Sequence, residues 1–288
     1  MIRPIPESEL IINPDGSIYH LNLKPGQVAD SIITVGDPER VEKITRYFDT
    51  IDLKAHKREF VTHTGWYKGK RLSVMSTGMG TDNIDIFLTE LDALFNVDFS
   101  SRTPKSKHTS LEIVRVGTSG SMQESIPAGT HLASAYGLGL DSLMVYYHLP
   151  QHGMASQLAA AVREKLGLPY TPYCVQASWK LLARFGESMQ KGITVTCPGF
   201  FGPQGRKVRL EPAFPEIFNL LGSINLGEYA FTNFEMETAG YYALGKLLGH
   251  EVLSLNAIVA NRINQTFISD TEAILDEMIL HTLEKFSL

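Results

Sequence analysis

The stretch Thr232-Asn233-Phe234-Glu235-Met236-Glu237-Thr238-Ala239-Gly240 decides how this chain is organised. It joins an apolar run, Tyr229 to Phe234, which predicts a strand, to a segment whose apolar residues recur at helical spacing. Folds of the α/β class bind ligands at such junctions. Glu235 and Glu237 can each accept hydrogen bonds there, and paired carboxylates suit two neighbouring hydroxyls. On this motif alone, the alternative that both acids merely favour a helix N-terminus stays open.

Further glycine-containing motifs follow predicted strands upstream. The strands are the apolar runs Ser31 to Val35, Leu72 to Met75 and Leu111 to Val116. Their exits carry Gly36-Asp37-Pro38-Glu39-Arg40, Ser76-Thr77-Gly78-Met79-Gly80 and Arg115-Val116-Gly117-Thr118-Ser119-Gly120. Because each motif stands at the end of a strand, the set predicts one ligand site at a sheet edge.

The arginines in these motifs indicate an anion. Gly36 lets an anion approach backbone N–H groups, and Arg40 lies on the first turn of the helix that follows, so a phosphate could be held there. Arg115 interrupts an apolar run, which is costly unless its guanidinium meets an anion or a carboxylate. Arg115 is therefore the most informative arginine of the chain.

A second kind of motif follows the predicted strand Ile193 to Cys197. The loop Pro198 to Arg206 is rich in glycine and proline, which is typical of either a turn or a binding site. Phe200 offers an aromatic plane beside the amide of Gln204 and the guanidinium of Arg206. A flat heterocycle with imide edges would need this combination.

Size and composition restrict the class of protein. With 288 residues and 43% apolar residues, the chain can bury the core of one large domain. A formal charge of −5 and a pI near 6.0 argue against a nucleic-acid surface. Two cysteines, scattered histidines and the lack of a long apolar run predict a cytoplasmic protein without disulfide framework, metal or membrane span.

The remaining patterns complete the expected organisation. Residues 1–30 predict an N-terminal arm, and residues 31–288 a single domain. A helix is expected with Asp37 as N-cap, Pro38 at the first helical position and an end near Phe48. Further helices are expected at Asp82 to Phe95, Ala155 to Leu166 and Asp270 to Phe286, further strands at His131 to Tyr136, Leu143 to Tyr147 and Val252 to Val259, and a surface loop at Asn96 to Ser110.

Taken together, the motifs resemble the nucleoside phosphorylase family of the trimer-or-hexamer type, and most closely its uridine phosphorylase branch. The resemblance runs in the same order from His20 to the C-terminal helix. It implies an α/β fold with a mixed central β-sheet, partly closed into a barrel and flanked by helices. It also implies that inorganic phosphate cleaves the glycosidic bond of uridine, or of deoxyuridine or thymidine, without a cofactor.

The resemblance assigns a role to individual residues. Phosphate would be bound by Gly36, Arg40, Arg115 and Thr118, with Arg58 of an adjacent subunit; ribose by Glu235, Met236 and Glu237, with His20 of a neighbour; and the base by Ser119, Gly120, Phe200, Gln204, Arg206 and Arg262. The catalytic set would be Arg115, Glu237, Gln204 and Arg206. The resemblance also implies a homodimer or homohexamer with shared sites, because it places His20 and Arg58 in the site of a neighbouring subunit. Without the resemblance, His20 and Arg58 would be interpreted as ordinary surface residues. Arg115→Ala is expected to remove most activity and leave the fold intact.

Alternatives within and outside the family remain. A purine nucleoside phosphorylase is the first, although Asn261-Arg262 stands where purine-specific relatives place an aspartate. A non-enzymatic nucleoside-binding protein is the second, and the retained phosphate arginines argue against it. The sequence also departs from the family at Ser119, where threonine is usual, and at Gly78-Met79-Gly80, which puts a monovalent-cation site near Glu59 in doubt.

Overall fold

The computed structural model describes residues 3–224 and 226–288. The strands are β1 (Ser31–Val35), β2 (Thr50–Lys57), β3 (Phe60–Tyr67), β4 (Lys70–Ser76), β5 (Val97–Asp98), β6 (Thr103–Pro104), β7 (Glu112–Ser121), β8 (His131–Gly139), β9 (Tyr173–Gln176), β10 (Gln190–Thr196), β11 (Phe231–Glu235), β12 (Glu251–Asn261) and β13 (Thr266–Phe267). The helices are α1 (Glu39–Thr45), α2 (Thr81–Asn96), α3 (Gly153–Leu166), α4 (Trp179–Phe185), α5 (Ile217–Gly222), α6 (Thr238–Leu248) and α7 (Thr271–Ser287). Short 3₁₀ turns cover Leu143–Val145 and Gly202–Gln204.

Strand β7 is the hub of a mixed sheet. It runs parallel to β1 and β12 and antiparallel to β11. The pairs β12–β8, β8–β10 and β10–β11 close a ring that returns to β7, while β4, β3 and β2 extend the sheet beyond β1. The predicted mixed sheet, partly closed into a barrel and flanked by helices, is therefore confirmed.

Strand β1, which pairs with the barrel strand β7, is apolar because both of its faces are covered. All five residues of β1 are buried, as expected for a parallel strand beneath helices. Helix α2 buries Ile84, Phe87, Leu88 and Leu91 on one face, which is the face that the helical spacing predicts. It packs against α6, where the absence of a side chain at Gly240 admits Thr81. This packing places the N-terminus of α6 at the carboxyl ends of the strands.

The prediction of a strand at Leu143 to Tyr147 was wrong. Leu143–Val145 forms a 3₁₀ turn, which begins where the Leu143 backbone N–H donates to Asp141 Oδ1 at 2.9 Å. The edge of β8 that such a strand would need is occupied by β9. Val145 and Tyr146 are consequently exposed, so the apolar pattern here does not report burial.

The segment predicted as a loop at Asn96 to Ser110 is partly ordered as a hairpin. Strands β5 and β6 pair antiparallel, and Arg102 occupies a left-handed conformation between them with φ of 54°. The Arg102 carbonyl accepts from the Ile5 backbone N–H at 2.7 Å, and its guanidinium donates to the carbonyls of Ile5 and Leu10. The hairpin therefore holds the N-terminal segment in place.

The predicted arm packs onto the same core as the rest of the chain. Leu10, Ile18, Leu21, Leu23 and Val28 are buried within the large apolar cluster that contains β1 and α2. The domain boundary at residue 30 stays a prediction. None of the helices in residues 3–224 and 226–288 has both the length and the apolar character that a membrane crossing requires.

The helix after β1 begins later and ends earlier than expected. Its first residue is Glu39 rather than Pro38, and its last is Thr45 rather than a residue near Phe48. Asp37 nevertheless contributes the type of contact expected of a cap, because its Oδ1 accepts from the Glu39 backbone N–H at 2.9 Å. The shift does not move Arg40 off the first turn.

Candidate active site

A cavity of about 940 Å³ opens where β1, β7, β10, β11 and β12 end or bend. The predicted site residues that line it are Gly36, Arg40, Arg115, Thr118, Ser119, Gly120, Phe200, Gln204, Arg206, Glu235, Met236, Glu237 and Arg262. They come from motifs that are widely separated in sequence. The cavity thus brings together all predicted site residues except His20 and Arg58.

Arg115 is the centre of the buried ionic group. Its Nη2 donates to Glu237 Oε2 at 2.5 Å and lies 3.3 Å from Glu235 Oε2. Its Nη1 lies 3.4 Å from both Ser254 Oγ and Asn256 Oδ1. Burial alone would lower the pKa of Arg115, but Glu237 and then Glu235 outweigh it, and the pKa is raised. The guanidinium is therefore held charged at the floor of the cavity.

The two glutamates of the central motif have different surroundings. Glu235 Oε2 accepts from the backbone N–H groups of Glu237 and Thr238, each at 2.9 Å, and its Oε1 accepts from Thr196 Oγ1 at 2.6 Å. Protein donors therefore surround the carboxylate, which supports the start of α6 and orients Arg115. For Glu235, the alternative of a helix-start acid is thus largely correct, although the side chain also borders the cavity.

Glu237 is placed to meet a ligand. Its Oε1 accepts from the Gly80 backbone N–H at 2.8 Å, a contact that depends on Gly80 having φ of 94°. Burial raises the pKa of Glu237, and Arg115 opposes that effect. A carboxylate anchored by one guanidinium and one N–H retains lone pairs that can accept from hydroxyl groups in the cavity.

A second guanidinium faces Arg115 across the exit of β1. Arg40 Nη1 donates to the Val116 carbonyl at 3.4 Å, and Gly36 and Thr118 lie along the same wall. Burial lowers the pKa of Arg40, and the positive charge of Arg115 lowers it further, against the opposing effect of Asp37. Two partly desolvated cations that repel each other are stabilised by an anion between them.

The opposite wall is formed by the loop after β10. Buried Gln204 donates from Nε2 to the Gly199 carbonyl at 3.2 Å, and its Oε1 accepts from Arg206 Nη1 at 2.5 Å. The Arg206 guanidinium lies 3.7 Å from the centroid of the Phe200 ring. Burial, reinforced by Arg262, lowers the pKa of Arg206 to about 10. The wall therefore presents an aromatic face beside cationic donors.

Known proteins share both the sequence and the architecture. A family model described as the Phosphorylase superfamily matches residues 30–282. The chain belongs to the Phosphorylase superfamily. A uridine phosphorylase of Thermococcus kodakarensis is 30% identical over 267 residues, which cover 93% of this chain and 86% of that protein.

Other superfamily members show where the chain lies within the group. A solved structure of a Trypanosoma brucei nucleoside phosphorylase, described as showing uridine phosphorylase activity, is 30% identical with a TM-score of 0.86, covering 96% of this chain and 98% of that one. A DeoD-type purine nucleoside phosphorylase of Streptococcus suis is 26% identical over 247 residues, 85% of this chain and 87% of that protein. A protein named as a purine nucleoside phosphorylase thus also matches this chain, at lower identity than the uridine phosphorylase.

His20 and Arg58 lie outside the cavity of their own chain. The Nδ1 of His20 donates to Glu90 Oε1 at 2.6 Å, and the same carboxylate accepts from the backbone N–H of Leu21. Arg58 is exposed at the turn between β2 and β3, with φ of 55°. Neither residue can complete this site from its present position within the same chain.

Sequence reasoning missed a set of polar side chains inside the barrel. Within the apolar strands β8, β10, β11 and β12, the buried polar residues include Ser134, Thr194, Asn233, Ser254 and Asn256. Each carries a hydrogen-bonding group into a region that sequence alone predicts to be apolar core. These residues could have been found in the sequence as polar residues within otherwise apolar strands. The same feature identified Arg115.

One cluster in the described part of the chain has metal-ligand chemistry, and it lies outside the cavity. Potential ligand atoms of Asp92, His108 and His250 lie within 4.8 Å of one another. His250 Nδ1 accepts from the Leu111 backbone N–H at 3.3 Å, which leaves the ring proton on Nε2, 3.3 Å from Asp92 Oδ1. With its Nδ1 lone pair used and the ring proton on Nε2, His250 has no free lone pair to offer a metal ion.

Proposed function

We propose that this protein cleaves the N-glycosidic bond of uridine with inorganic phosphate, giving uracil and ribose 1-phosphate. The observation that carries the proposal is the pair Arg40 and Arg115, which face one cavity together with Glu237 and the Phe200–Arg206 loop. The similarity to uridine phosphorylases supports it. A phosphate site alone would suit many enzymes, but a phosphate site beside a diol acceptor and a heterocycle wall suits a nucleoside phosphorylase.

Each part of the cavity has a task in this reaction. A phosphate oxygen between Arg40 and Arg115 attacks the anomeric carbon, the bond from that carbon to the base nitrogen breaks, and its electron pair moves onto uracil. Glu237 accepts hydrogen bonds from the ribose hydroxyls and holds the sugar in line. The reaction needs no cofactor, because phosphate is a co-substrate and the arginines act by charge.

The leaving base is stabilised by the loop wall. Gln204 can donate to one carbonyl and accept from the imide N–H, while Arg206 donates toward the other carbonyl. Arg206 and Arg262 have no carboxylate within ion-pairing distance in the described part of the chain, so their charge is available to the developing uracil anion. A donor of this kind contributes about 2.7–4 kcal/mol in known oxyanion sites.

The purine alternative is disfavoured by the surroundings of Asn261. Its Nδ2 donates to the carbonyls of Gln123 and Ile126 at 2.8 and 2.9 Å, and its Oδ1 accepts from the backbone N–H groups of Ile263 and Asn264. The side chain is thus committed to the turn after β12. It supplies no acid for N7 of a departing purine.

The assay that tests the proposal uses uridine, cytidine, inosine and adenosine, each with and without inorganic phosphate. We expect release of uracil from uridine only with phosphate, and far slower release from the other nucleosides because their edges leave Gln204 or Arg206 unpaired. Equal release without phosphate would indicate a hydrolase. Comparable turnover of inosine would favour the purine alternative, and binding of uridine without cleavage would indicate a binding protein.

We also propose that the active site is completed by a second copy of this chain, which would supply His20 to the ribose and Arg58 to the phosphate. The support is that both residues stand outside their own cavity, at 26% side-chain exposure for His20 and on an exposed turn for Arg58. Mixing inactive His20→Ala and Glu237→Ala variants under subunit exchange should restore part of the activity. Full activity of a monomer, verified by light scattering, would contradict shared sites.

A further inference from the structure

A line of buried polar side chains crosses the barrel from one wall of the cavity to the other. Its members come from five different strands, and each is at most 6% exposed. In order they are Ser119 on β7, Asn233 on β11, Thr194 on β10, Ser134 on β8, Asn256 on β12 and Arg115 on β7. Five barrel strands contribute to it, so the line follows the ring closure of the sheet rather than one local motif.

Every link in this line is a hydrogen bond. Ser119 Oγ accepts from Asn233 Nδ2 at 2.9 Å, and Asn233 Oδ1 accepts from Thr194 Oγ1 at 2.9 Å. Thr194 Oγ1 and Ser134 Oγ are 2.5 Å apart. Asn256 Nδ2 donates to Ser134 Oγ at 3.1 Å, and Asn256 Oδ1 accepts from Arg115 Nη1 at 3.4 Å.

The direction of donation is set at the arginine end. A guanidinium can only donate, so Asn256 must accept through its oxygen and donate through its nitrogen to Ser134. Ser134 then has its own proton to give to Thr194, and Thr194 gives its proton to Asn233. The Asn233 amide must present its nitrogen to Ser119. The hydroxyls of Ser134 and Thr194 are thereby each left with one orientation.

The direction has a consequence for Ser119, which borders the cavity. Because Ser119 Oγ accepts from Asn233, its proton is not used within the line. Thr232 is not a member of the line, although its hydroxyl also donates to Asn233 Oδ1 at 2.9 Å. The same hydroxyl has the Ile193 carbonyl as a second acceptor at 3.2 Å. Thr232 therefore does not force the amide of Asn233 into one orientation, whereas Thr194 does.

We propose that this line makes Ser119 a hydrogen-bond donor to the nucleoside, and that Asn233, Thr194, Ser134 and Asn256 are positioning residues that set its direction from Arg115. The inference rests on the proposed function. A ligand atom opposite Ser119 must then be an acceptor, such as a base carbonyl or a sugar oxygen. The same line links the orientation of Ser119 on the nucleoside side to the guanidinium on the phosphate side.

The experiment compares two buried threonines that contact the same oxygen. Thr194→Val breaks the line, while Thr232→Val removes an equal contact to Asn233 and leaves the line intact. We expect Thr194→Val to raise KM for uridine about tenfold at saturating phosphate, consistent with one hydrogen bond, and Thr232→Val to change it less than twofold. Thr194→Ser, which keeps the hydroxyl, should restore the wild-type value.

A double-mutant cycle separates positioning from general stability. Ser119→Ala should raise KM for uridine about as much as Thr194→Val, and the double variant should add no further loss, because both changes remove the same donor. Thermal unfolding of each variant measures the structural cost, which should be similar for the two valine variants. If Thr194→Val does not fold, Ser134→Ala breaks the neighbouring link and takes its place in the cycle.

The outcomes distinguish this inference from the proposed function. Suppose that the wild-type protein cleaves uridine with phosphate. The inference alone is then overturned if Thr194→Val and Thr232→Val raise KM equally. It is also overturned if the effects of Ser119→Ala and Thr194→Val on KM multiply in the double variant. Wild-type protein without phosphate-dependent cleavage of uridine overturns both. Selective loss in Thr194→Val, rescue by serine and a non-additive double variant support the line as a positioning device.

Discussion

The two walls of the cavity are built in different ways. On the phosphate and ribose side, Arg115 and Glu237 are each 4% exposed and are bonded across strands, to partners more than a hundred residues away in sequence. On the base side, Arg206 bonds within its own loop, to the Phe200 carbonyl and to Gln204, and Phe200 is 51% exposed. Changes on the first wall should therefore affect folding and catalysis together, and changes on the second should affect binding and catalysis without a large loss of stability.

The largest effect is expected from Arg115→Ala. Its removal leaves Glu235 and Glu237 buried without their cation, which in comparable cases costs about 3–5 kcal/mol of unfolding free energy. The geometry therefore predicts a loss of stability that the expectation of an intact fold, made from sequence, did not include. Chemical denaturation should detect the loss, and phosphorolysis should fall below detection.

Arg40→Ala is the matched control for Arg115→Ala. Arg40 borders the same cavity but makes only a long bond to the Val116 carbonyl, so its loss should abolish most phosphate-dependent activity with a far smaller change in unfolding free energy. Equal destabilisation by both substitutions would show that Arg40 and Arg115 contribute equally to the stability of the fold.

A second effect should come from Gly117→Ala. A Cβ at Gly117 would lie 2.1 Å from Arg115 Nη1, so the guanidinium must move, and misplacement of a catalytic group by about 1 Å can cost about 10²-fold in rate. Gly120→Ala in the same strand is the control, because its Cβ would meet Arg262 Cγ at an ordinary 3.5 Å. Similar kcat values for the two variants would mean that Arg115 adapts freely.

On the base side, Gln204→Ala should lower kcat/KM for uridine by about 10²-fold, the effect of removing one transition-state donor. KM for phosphate should not change, because Gln204 bonds only within its loop and to Arg262. Gln190→Ala, at an exposed residue of β10, provides the baseline. A parallel rise in KM for phosphate would show that the two walls are coupled more strongly than their contacts suggest.

The smallest effect is expected from Phe200→Leu. It removes the ring below the Arg206 guanidinium, an interaction worth about 0.5–1 kcal/mol at exposed sites, so KM for uridine should rise about two- to fivefold. Phe201→Leu is a control of equal chemistry, since Phe201 is also exposed but does not line this cavity. Steady-state kinetics at fixed phosphate measures both variants.

Much of the fold and the site could be predicted because the informative patterns are local. The apolar runs before Gly36 and Glu235 identified strands, and the helical spacing after Thr81 identified α2. The apolar residues of Leu143 to Tyr147 did not identify the secondary structure of this segment, because their burial depends on which strand occupies the edge of β8. The hairpin within residues 96–110 was missed because each of its strands has only two residues, which is too short to show an alternating pattern.

The order of residues along the chain specifies which residue types stand at the strand exits, and hence the charge and hydrogen-bonding chemistry available to the site. The roles of these groups depend on the folded arrangement: Glu235 supports α6, Glu237 faces the cavity, and Asn233 and Thr194 belong to the line from Ser119 to Arg115. Arg115 and Glu237 are 122 positions apart, and their contact depends on the register of strands that close a ring. Local spacing specifies strands and helices, but register between distant strands is set by packing over the whole barrel.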